Sequence, residues 1–291
     1  MGKTLRADIL FLIMRNRIYF VPVIAFFLLV QLFTAVNVYS SSASVNTSPD
    51  GNTAPTLENA WEIFGVYHKD PDKIDEAIAL TEGILKRDPG NVTALVFLSR
   101  VWLTYGYVKA RSKDELIRAF QNGKDAAEKA IGIEPGSADA HFFYVANLAS
   151  LGDTKGLFNS LFMLPEVRRE LETVLELDPN HVNGLAMTGA LYLYLPSMLG
   201  GDLHISEVYL KRSVSLDPHV SSAGLYLAAN LKRQKKYDEA LEVLNGILND
   251  RYPSFYPDWV ENKKYAYMMI RGIRQEMGGG TARKDDGSTL N

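Results

Sequence analysis

The chain has 291 residues, of which 47% are hydrophobic and 22% charged. That is enough apolar side chain for one or two cores, and it excludes a chain disordered throughout. A net charge near −3 excludes a global basic field for nucleic acid or an anionic membrane surface, and no basic run interleaved with aromatics replaces it. The absence of cysteine excludes disulfides, a thiolate nucleophile, a cysteine-ligated metal and a lipid-modified cysteine; it also suits an exported protein.

At the N-terminus, "IYFVPVIAFFLLVQLFTAV" (residues 18–36) is an apolar run of membrane-spanning length, preceded by Lys3, Arg6, Arg15 and Arg17. Positive charge stays inside, so everything after Tyr39 is expected to be translocated. Residues 1–39 read either as a signal peptide, with Ser41-Ser42-Ala43 as a small-residue cleavage site, or as an uncleaved membrane anchor. The long stretch ahead of the run, which includes "ILFLIM", favours the anchor. "MGKTLR" fails as a myristoylation signal because Arg6 stands where Ser or Thr is needed. The part after this segment is therefore expected on the far side of a membrane, tethered to it or released by cleavage. Residues 40–56, rich in Ser, Asn, Thr, Pro and Gly, read as a flexible linker.

From residue 57 the chain repeats. "KRDPGN", "GIEPGS", "ELDPNH" and "SLDPHV" each close a helical segment, with prolines at 89, 135, 179 and 218. Counting back from them, small or apolar residues fall on one face: Ala77, Thr81 and Ile84; Gly123, Ala127 and Ala130; Val167, Leu171 and Val174. This is the spacing of the second helix of a tetratricopeptide repeat, a unit of about 34 residues. First helices agree, with Trp61, Phe64, Gly65 and His68, then Leu95, Leu98, Ser99 and Trp102, then Leu185, Gly189 and Tyr192 at the consensus places. Five units start near Glu58, Val92, Ala138, Val182 and Ser221, and "DWVENKKYAYMMIRGIRQEM" closes the last one. The fold expected is an all-α tetratricopeptide-repeat solenoid of about five helix pairs over residues 57–277, with a C-terminal capping helix and a preceding N-terminal membrane helix. Residues 278–291 read as a disordered tail.

Successive closing prolines stand further apart than a strict unit allows. The extra residues fall in "GYVKARSKDELIRAFQNG", "GDTKGLFNSLFMLP" and "PSMLGGDLHI". Such insertions either bind a partner or merely make the first helix longer. As partner-binding candidates they offer Phe158, Leu161 and Phe162, and Gly200, Gly201 and Asp202.

The second, fifth, ninth and twelfth positions of each first helix line the concave groove of such a repeat. Here most of these places are apolar, and the Lys, Arg and Asn donors that would hold a peptide carboxylate are scarce. Val96, Arg100, Leu103, Tyr105, Asp139, Phe142, Ala146, Ala186, Ala190 and Leu193 are therefore candidate cavity residues. Three arrangements fit a groove so apolar: a superhelix closed on itself, an enclosed hydrophobic ligand or pore, or insertions folded over it as ordinary core. Arg100 would need a partner when buried, and Asp139 is a candidate.

No catalytic constellation accompanies the repeats. His68, His141, His181, His204 and His219 are scattered, without metal-ligand spacing, and no nucleophile elbow or phosphate loop is present. Neither cofactor nor metal nor nucleic acid is expected.

"ALVFLSRVWLTYGYVKA", "AHFFYVANLASLGDTKG", "LPSMLGGDLHISEVYLKRSVSLDP" and "WVENKKYAYMMI" resemble the T component (TatT) of bacterial tripartite ATP-independent periplasmic (TRAP) transporter systems. The Gly-Gly-Asp insertion is the most specific piece of the likeness. This resemblance implies a periplasmic helical protein that can form a homotrimer with an apolar pore, pairs with a periplasmic substrate-binding protein and takes a hydrophobic small molecule or organic acid. It implies no catalytic residue. Members are often lipoproteins, and this chain departs from them by lacking cysteine. The regulators of microtubule dynamics are a second, weaker resemblance, carried by "HFFY" and the Lys155-Gly156 loop; those proteins are tethered by an N-terminal helix and act at membrane contacts. The function expected is a non-catalytic transport accessory, with a membrane-anchored protein–protein scaffold as the alternative.

Overall fold

The computed structural model describes residues 56–282. The expected membrane segment at residues 1–39, the linker up to residue 55 and the tail from residue 283 lie outside the described residues. Within them the chain forms α1 (Leu57–Phe64), α2 (Lys73–Arg87), α3 (Val92–Val108), α4 (Lys113–Ile133), α5 (Ala138–Lys155) and α6 (Leu157–Leu177). Then follow α7 (Val182–Tyr194), α8 (Leu203–Leu216), α9 (Ser221–Arg233), α10 (Tyr237–Asn249) and α11 (Tyr256–Ala282). Five antiparallel pairs, α1/α2 to α9/α10, stack in order, and α11 closes the set.

The closing motifs act through proline. Asp178 and Asp217 cap α6 and α8 in extended conformation, which is where a following proline pushes the residue before it. Each next helix is then restarted by a side chain that satisfies its free N–H groups: Asn91 accepts from Ala94 N, Ser137 from Ala140 N, and His181 Nδ1 from Gly184 N at 2.9 Å. Pairs pack closely because the small repeat positions leave room. A Cβ on Gly189 would stand 2.6 Å from Cγ of Leu210, so α7 approaches α8 only with glycine there.

Two of the three insertions lengthen helices, and the third, at residues 196–202, forms a turn. α4 and α6 both reach 21 residues, and α5 is separated from α6 by Gly156 alone, at φ 107. Pro165 lies inside α6 and marks the seam between the added first turns and the repeat's own second helix.

α5 is buried without a break from Ala140 to Gly152, and α7 from Asn183 to Leu191. Second helices cover one side of them, and α11 covers the concave side. Lys232, a groove position of α9, pairs with Glu276 at 3.0 Å, and Asn262 Nδ2 donates to Ser221 Oγ at 2.9 Å. Ala266, Ile270 and Ile273 share one core with Phe142, Ala146 and Ala190. α11 also continues to Ala282, five residues into the stretch expected to be tail, because each added residue of a formed helix needs only one further hydrogen bond to propagate.

Candidate functional site

The concave groove was expected to be apolar, and its depth is. Leu103, Phe142, Ala186 and Leu193 are completely buried, as is Ala146, with Ala190 nearly so. The element that meets the groove is the C-terminal helix, at Arg100 and at Lys232, and none of the three arrangements read from the sequence named it.

Nearer the mouth a small opening is left between largely buried side chains. Thr93, Val96 and Arg100 of α3 line a cavity of about 130 Å³ together with Trp61, Phe143 and Asp139. A neighbouring cavity of about 280 Å³ shares Ser137 and Asp139 and adds Asp178, His181, Asn183 and Asp217. Three of the ten expected cavity residues, Val96, Arg100 and Asp139, thus come together at a real opening. Tyr105 does not join them. Five residues along a helix from Arg100 it points almost the opposite way, and its ring packs against Trp102 at 5.3 Å. Tyr107, seven residues on, returns to the groove face and bonds Ser150 Oγ at 2.5 Å.

Arg100 is buried to 1% exposure, and its carboxylate partner is Asp258 on α11 at 3.5 Å, not Asp139. Asp139 instead faces His181 Nε2 at 3.0 Å. The Arg100 guanidinium also lies 4.4 Å over the ring of Phe255 and 4.9 Å over that of Trp61. Tyr67 donates its hydroxyl to the same Asp258 carboxylate. Burial lowers the Arg100 pKa, against the opposing pull of Asp258. Burial likewise pushes Asp258 up to about 7 although Arg100 and the Tyr67 hydrogen bond pull it down. Asp258 lies 158 residues from Arg100 in the chain, and no repeat position points to it. The only hint in the sequence is the density of aromatics in "FYPDW" at the start of the last helix.

The two partner-binding insertions behave differently. Phe158 is 77% and Phe162 84% exposed on the first turns of α6, with Leu161 beside them at 37%. Gly200, Gly201 and Asp202 instead build the turn into α8. Gly200 is left-handed at φ 85, and a Cβ on Gly201 would fall 1.8 Å from the Leu195 carbonyl oxygen. Asp202 caps α8, accepting from His204 N at 2.7 Å and Ile205 N at 3.0 Å. Arg168 of α6 donates to the Leu199 carbonyl and locks the turn.

His141 bonds Glu170 at 2.7 Å and the Pro135 carbonyl at 3.0 Å, and so serves packing between α5 and α6. Among the described residues no three His, Asp or Glu side chains gather as a metal-binding group. None of the described helices is long and apolar enough to cross a membrane.

Comparison with known proteins agrees with this architecture. The family described as "Regulator of microtubule dynamics protein 1-3" matches residues 61–195, from α1 to the end of α7. No curated protein matches the chain. Among solved structures, TTC0263, a thermophilic TPR protein of Thermus thermophilus, is similar with a TM-score of 0.56 at 17% identity, over 74% of this chain and 99% of that chain. YrrB, a TPR protein with an unusual peptide-binding site, is similar at a TM-score of 0.38 and 14% identity, over 76% of this chain and 93% of that chain. The described residues therefore have a tetratricopeptide-like helical fold. Of the two family resemblances read from the sequence, the regulators of microtubule dynamics are the one that a family model matches.

Proposed function

We propose that the chain is a non-catalytic, membrane-tethered repeat scaffold that presents the α5–α6 corner to a protein partner. The exposure of Phe158 and Phe162 carries this reading. Two large aromatic side chains left in water on consecutive turns of an inserted segment mark a binding surface, because aromatic anchors dominate protein interfaces and find no use in solvent. Pro165, behind them, separates these turns from the part of α6 that the solenoid needs for its own packing. The apolar run at residues 18–36 supports a tether and the Ser/Asn/Thr-rich stretch at 40–56 a reach, for a scaffold at the surface of a membrane of the cell envelope.

The transport-accessory reading, with a homotrimer, a periplasmic substrate-binding partner and a hydrophobic small molecule in the groove, is supported by the apolar groove positions and by the likeness to the TRAP T component. It is the lesser reading because α11 meets groove positions at Arg100 and Lys232 and shares a core with Phe142, Ala146 and Ala190.

A photoreactive phenylalanine analogue at position 162 of the full chain, expressed in its own host, separates the two. The scaffold predicts a crosslinked adduct of protein mass that is absent when the analogue stands at Tyr252, an equally exposed control at 78%. No protein adduct, with a small molecule retained by the same preparation, would favour the transport reading.

A further inference from the structure

At the mouth of the groove the chain binds a piece of itself. Trp61, Phe64, Tyr67 and Arg100 form a cradle on α1, the turn after it and α3, and the start of α11 fills it. The Phe255 ring stacks on Phe64 at 5.6 Å and 21°, and stands edge-on to Trp61 at 6.2 Å and 80°. One turn later Asp258 receives the Tyr67 hydroxyl and faces Arg100. The occupant is thus an aromatic ring on the residue just before α11, whose carbonyl accepts from Trp259 N at 3.2 Å, and a carboxylate three residues on in the first turn.

Two features distinguish this contact from ordinary core. An apolar residue at position 258 would seal the groove without burying a carboxyl group beside a guanidinium, so the Arg100–Asp258 contact is not required by packing alone. The contact is also separable from what holds α11 in place. Trp259 Nε1 donates to the Ile247 carbonyl at 2.7 Å and Asn262 to Ser221, which tie the helix to the last repeats independently of the first.

We infer that Trp61, Phe64, Tyr67 and Arg100 form a recognition site for a helical protein segment carrying an aromatic residue and an acidic residue at i and i+3, occupied in cis by Phe255 and Asp258. A partner segment of that pattern competes with the chain's own helix. A tethered occupant has an effective concentration of order millimolar, so the competing segment binds weakly until the first turn of α11 is loosened. This site is distinct from the α5–α6 corner, and neither depends on the other.

A fluorescent peptide of residues 252–266, titrated against the full chain and against its Phe255→Ala/Asp258→Asn double variant, tests the inference. The double variant should bind at least about tenfold more tightly than the wild type, and replacing the peptide's own Phe and Asp by Ala should abolish the gain. Equal affinity for the two proteins, or none for a double variant that unfolds cooperatively, overturns the inference. Should the double variant fail to fold, the wild-type chain decides. An excess of peptide should then speed hydrogen exchange of residues 256–262 while residues 57–68 stay protected, and unchanged exchange overturns the inference.

Discussion

Arg100 occupies a groove position that the repeat pattern assigns, but its partner comes from outside the pattern. Burying a guanidinium is tolerable only with a carboxylate at hand, and the carboxylate arrives on the last helix. Asp258→Ala should therefore destabilise the protein by about 3 kcal/mol in urea unfolding, because it leaves the guanidinium without its carboxylate. The same pair predicts a pH dependence. Asp258 keeps its proton up to about 7 when folded, whereas an unfolded aspartate releases it near about 3.9. The folded state holds more protons in that interval, so this group's contribution to stability falls as pH rises from about 4 to about 7 and then levels off. The groups that face it are Arg100, Tyr67 and Glu261. Asp153, also raised by burial to about 6, adds a parallel slope, which cancels when wild type and Asp258→Asn are compared. The urea midpoint of the wild type should fall relative to that of Asp258→Asn as pH rises through this range, because only the wild type has the titrating carboxyl. A difference independent of pH would contradict the assignment.

At the scale of the element, the helix pairs were legible because proline and small residues act locally. A proline ends the helix before it, and a glycine such as Gly189 admits the neighbouring helix. The apolar groove was legible for the same reason, since helical spacing alone assigns Val96, Phe142 and Ala186 to one face. What covers that face was not legible, because Asp258, Ala266 and Ile270 meet it through tertiary contacts over long stretches of chain. The added residues "LFNSLFML" keep helical spacing and extend α6, the second helix of its pair, where a longer first helix was the alternative read from the sequence. The two partner-binding insertions now predict opposite behaviour. Phe158→Ser with Phe162→Ser should leave the unfolding midpoint within about 0.5 kcal/mol of wild type, since both rings are already exposed, while removing the crosslinked partner. Asp202→Ala should cost about 1 kcal/mol through the lost cap of α8 and leave partner capture intact. Gly201→Ala should cost more than the cap, as its Cβ meets a backbone carbonyl that cannot move aside.

For the whole molecule, a solenoid that ends in a helix laid along its own concave face is no longer an open binding groove. Asp258 and Glu276 bracket a span of α11 of about 27 Å at about 1.5 Å per residue, long enough to join the mouth at Arg100 to Lys232 near the last repeat. In the proposed scaffold the outer corner at α6 is the docking surface and the mouth is kept for a competing segment. Native mass spectrometry of the gently purified full chain tests this arrangement most directly. A self-closed scaffold predicts a chain free of small molecules, alone or with a protein partner that the Phe158→Ser/Phe162→Ser variant loses. A trimer that retains a small apolar molecule would contradict it, because the space assigned to α11 would then hold a ligand.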